Sequence, residues 1–63
     1  MNALRFKCWM VEHGIKQTDL SKLLNKSIGS INNKVNGTTP FGVDEIQKIK
    51  DEYGISTDEI FFS

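Results

Sequence analysis

Sixty-three residues form one expected domain, residues 1–63, with zero formal net charge at pH 7, a single cysteine and a single histidine. A chain this short buries only about 60% of the surface its unfolded form exposes, no disulfide can brace it, and Cys8 with His13 cannot complete a metal site. The longest apolar stretches run three or four residues, which argues against a signal peptide or a membrane span and for a protein of a reducing cytoplasm.

Apolar residues recur every three to four positions and never alternate, so the elements expected are all helices. The first covers about residues 3–13, with Phe6 and Met10 inward, Trp9 at the edge of the core, and Gly14 as a left-handed stop. Ile15 packs the turn. The second covers residues 17–24 and buries Leu20, Leu23 and Leu24. Asn25 tolerates a positive φ and Ser27 is a good N-cap, opening a third helix over about residues 28–36 with Ile31 and Val35 inward. Gly37 ends it. The loop 38–42 holds the only proline, and a fourth helix over residues 43–53 offers Val43, Ile46, Ile49 and Tyr53 at helical spacing. After Gly54, the S-x-x-E form of residues 56–59 predicts a capping box and a fifth short helix carrying Ile60 and Phe61. The fold class expected is all-α with five helices.

Charge is polarised along this chain. Residues 1–40 hold Arg5, Lys7, Lys16, Lys22, Lys26 and Lys34 against Glu12 and Asp19, a balance of +4, and the remainder balances at −4. One end can therefore face phosphate although the total is zero.

The most informative segment is QTDLSKLLNKSIGSINNKVNG, residues 17–37. Two short helices, a three- to four-residue connection and the small Ser21 where they cross have the form of a helix-turn-helix over about residues 17–36. With the G-I-x-Q start at residues 14–17, the N-G end at 36–37 and Y-G-I-S-T-D-E-I at 53–60, the chain resembles lambdoid phage repressors and Cro proteins. Its I-N-N-K-V-N-G stretch at residues 31–37 and its I-F-F at residues 60–62 look especially like small repressor-like proteins of Gram-positive phages and plasmids. The resemblance implies a compact lambda-repressor-like domain in a bacterial host cell, at the nucleoid, with double-stranded DNA as partner and no cofactor, membrane or small-molecule ligand.

It also implies roles residue by residue. Ile28, Gly29, Asn32 and Asn33 would meet base edges, the asparagines pairing with adenine and Ile28 touching a thymine methyl. Gln17, Lys26, Ser27, Lys34, Asn36, Thr38 and Thr39 would meet phosphates, Gln17 together with the amides that open the second helix. Three departures stand out: Lys16 replaces the usual Ser, Thr or Asn cap, Lys34 stands where an apolar residue is common, and the third helix has neither arginine nor glutamine. The apolar end of the chain, Ile55, Ile60, Phe61 and Phe62, is the expected interface of a homodimer on DNA.

The function expected is a Cro-like transcriptional repressor that binds a two-fold operator. The alternative is a protein-interaction module on the same fold, an antirepressor, antitoxin or adaptor. An enzyme is not expected, because no nucleophile, base and carboxylates cluster in the sequence.

Overall fold

A computed structural model describes residues 2–54, which form α1 (Ala3–Glu12), α2 (Gln17–Leu24), α3 (Ile28–Val35) and α4 (Val43–Tyr53). The expected fifth helix and the proposed interface residues Ile55, Ile60, Phe61 and Phe62 lie outside the described residues.

Each helix starts and stops for a local reason. Asn2 caps α1, its Oδ1 accepting from the Arg5 amide at 3.1 Å. At the other end Gly14 takes φ +65°. Its amide donates to Val11 at 3.2 Å while the Ile15 amide reaches back to Met10 at 2.8 Å. This paired closure satisfies two carbonyls of the last turn and draws Ile15 into the core beside Met10. Lys16 gives α2 no side-chain cap. Asp19 compensates from the third helical position, its Oδ2 accepting from the Lys16 amide at 2.8 Å. The start of α4 is closed likewise, with Glu45 Oε1 accepting from the Gly42 amide at 2.7 Å.

Phe6, Leu20, Ile31, Val35 and Ile49 are the most deeply buried side chains, so every helix sends at least one residue to a common centre. Trp9, Met10, Ile15, Leu24 and Phe41 surround them, with Leu23, Ile46 and Tyr53 half-buried at the margin.

Two expectations change here. Trp9 is not an edge residue: it is only 7% exposed, held between Phe6, with ring centres 5.4 Å apart, and Tyr53, nearly perpendicular to it at 5.5 Å. Val43 does not join the α4 stripe and is 83% exposed. That end of the core is filled instead by Phe41, a loop residue whose ring lies 5.2 Å from Phe6. Burying an aromatic ring is worth about 1.5–3 kcal/mol, so Phe41 ties the loop after α3 to the first helix.

Candidate nucleic-acid interface

Between α2 and α3 the chain reverses in residues 25–27. Asn25 adopts the left-handed conformation, φ 54° and ψ 48°, as its small polar side chain allows. The Ser21 carbonyl receives the amides of Asn25 and Lys26, and the Ser21 hydroxyl donates to the Lys26 carbonyl. Ser27 then caps α3, its Oγ accepting from the Ser30 amide at 3.2 Å. These bonds fix the angle at which α3 leaves the turn.

Ile31 and Val35 turn one face of α3 inward. On the other side Gly29, Asn32, Asn33 and Asn36 are exposed, and Ile28 keeps 46% of its surface open to solvent. Asn32 Oδ1 accepts from Gln17 Nε2 at 3.3 Å and from Asn36 Nδ2 at 3.2 Å. A polar chain therefore joins the first residue of α2 to the outer face of α3. It orients the Asn32 amide so that its Nδ2 donors remain to be offered, while its oxygen is already engaged. Asn33 has no side-chain hydrogen bond among the described residues, so both halves of its amide are available.

The expected phosphate contacts are distributed around this face. Gln17 stands at the open N-terminus of α2, where unpaired amides and the helix dipole favour an anion. Asp19 shares that terminus, which tempers its pull on phosphate. Lys26 and Ser27 are exposed in the turn. Asn36 caps the end of α3 and Gly37 follows at φ +81°. Thr38 and Thr39 are exposed, but both of their amides go to the Asn33 carbonyl, at 2.9 and 3.4 Å. What they can give phosphate is their hydroxyls.

Lys34 is placed differently from the rest. It turns away from the outer face and pairs with the Glu45 carboxylate, leaving the two side chains only 13% and 12% exposed. Burial pushes the Glu45 carboxyl up, but the bonds from Lys34 and from the Gly42 amide, with the Lys34 charge, outweigh it and hold the pKa below its ordinary 4.5. Sequence reasoning missed Glu45 altogether. The available signal was Lys34 itself, a charge on the inner edge of a helix and so in need of a partner.

A helix-turn-helix family model matches residues 9–60. The chain belongs to the Cro/C1-type helix-turn-helix family. Membership makes it a DNA-binding transcription regulator, and α2 and α3 both lie within the matched residues. No curated protein and no solved structure gives a match. Among the described residues no helix is long and apolar enough to cross a membrane.

Proposed function

We propose that this regulator is a Cro-like repressor that lays α3 in the major groove of a two-fold operator in a bacterial host cell. The reading rests on the outer face of α3, which is open, polar and braced through Asn32 to the start of α2. Asn33 reads an adenine through both atoms of its amide, Asn32 donates through its Nδ2, Ile28 covers a thymine methyl and Gly29 lets the backbone approach closely. Gln17, Lys26, Ser27, Asn36, Thr38 and Thr39 hold the flanking phosphates, which set register without carrying sequence information. Two copies act together, since one domain this small reaches a single half-site and half-sites lie about 34 Å apart. In this reading the homodimer uses the apolar residues Ile55, Ile60, Phe61 and Phe62.

Selection from a random duplex library, followed by gel shifts in rising salt, tests this. A palindromic consensus and two successive complexes are expected. A library that shows no enrichment contradicts the proposal and favours the second reading, a protein-interaction module. One observation favours that module: the only cation of α3 is engaged by Glu45.

A further inference from the structure

We infer that Glu45 withholds Lys34 from DNA and anchors the loop after α3, so that α3 meets the duplex with no cation of its own. This rests on the DNA-binding reading above and concerns how strongly and how selectively that surface binds. Three bonds support it. Lys34 donates to both oxygens of Glu45, and Oε1 of the same carboxylate accepts from the Gly42 amide at 2.7 Å. Residues 38–42 are thus held at both ends, by the Asn33 carbonyl receiving Thr38 and Thr39 and by Glu45 receiving Gly42.

Swinging Lys34 out to a phosphate would strand the Glu45 carboxylate, in a residue only 9% exposed, with a single amide for company. Removing one partner of a buried pair is far more costly than removing both. Lys34 therefore stays with Glu45 when DNA arrives. A cation on a recognition helix strengthens binding to every sequence alike. Keeping this one engaged leaves the asparagines, which distinguish bases, a larger share of the contact energy. Glu45 is a positioning residue here. It touches no DNA and acts through Lys34 and the loop.

The salt dependence of binding to the selected operator separates this from a merely structural ion pair. Each phosphate contact contributes about 0.9 to the slope of log affinity against log salt. Lys34→Met should leave the slope at the wild-type value, whereas Glu45→Gln should steepen it by about 0.9 as the freed ammonium reaches phosphate. If Glu45→Gln does not fold, the double variant Lys34→Met with Glu45→Met replaces the pair by apolar chains of similar length and should again match wild type. A slope flattened by about 0.9 in Lys34→Met, or in the double variant, overturns the inference while leaving the DNA-binding reading intact. So does a folded Glu45→Gln with an unchanged slope. Failure of the wild-type chain to bind any duplex overturns both.

Discussion

Between α2 and α3 the chain turns within residues 25–27 using only groups close in sequence, whereas between α3 and α4 its local bonds are joined by partners brought from elsewhere. The first connection is closed by Asn25, by Ser27 with Ser30, and by Ser21 with Lys26, none more than five residues apart. The second has local bonds too, from Thr38 and Thr39 to Asn33 and from Gly42 to Glu45, but it is also tied down by Phe41 against Phe6, thirty-five positions earlier, and by Glu45 against Lys34, eleven positions earlier. Both flank the same helix. The difference teaches that the entry angle of α3 is written locally, while its lateral seat depends on the rest of the fold being in place.

Removing the long-range anchor should have the largest effect. Phe41→Ala should cost about 3–5 kcal/mol, enough to unfold much of so small a domain. Urea denaturation followed by circular dichroism measures this. A loss below about 1 kcal/mol would mean that the loop is not seated through its aromatic ring.

Glu45→Ala should come next, at about 2 kcal/mol, less than the roughly 3–5 kcal/mol of a fully buried pair because both side chains keep some contact with water. This term depends on pH. The folded-state pKa of Glu45 lies below 4.5, so its contribution is complete above the unfolded value and is lost as pH falls through the folded one. The stability gap between wild type and Glu45→Gln should therefore be widest above pH 4.5 and close on acidification. A gap that does not change with pH would mean that the carboxylate is not stabilised in the folded state.

The local turn should be the least sensitive. Asn25→Ala should cost about 1–2 kcal/mol for the left-handed backbone, and Asn25→Gly should restore most of it. Equal losses in the two variants would show that the Asn25 side chain, rather than its backbone angle, makes the turn.

The same division explains what could be read from the sequence. The helix-turn-helix, the Ser27 cap, the positive φ of Asn25 and the glycine stops follow from short-range rules, and the structure has them where the residues placed them. The seat of Trp9, the exposure of Val43 and the burial of Phe41 do not follow, because spacing defines a helix face but not what covers each end of it. Lys34 was legible as an anomaly. Its partner was not, since Glu45 also suits an ordinary first-turn cap of α4. On the outer face of α3 the family resemblance singled out the asparagines, whereas the bond from Gln17 to Asn32 needed α2 and α3 to be docked. That bond separates the two asparagines into one whose oxygen is engaged and one whose amide is open at both atoms.

The outer face of α3 is proposed to read DNA through Asn33. Fluorescence anisotropy on the selected operator and on its single-base variants, for wild type and Asn33→Ala, tests it most directly. The substitution is predicted to weaken operator binding by about 1–3 kcal/mol and to remove the preference at one adenine position while leaving the others intact. Unchanged affinity with an unchanged preference at every position would contradict the account.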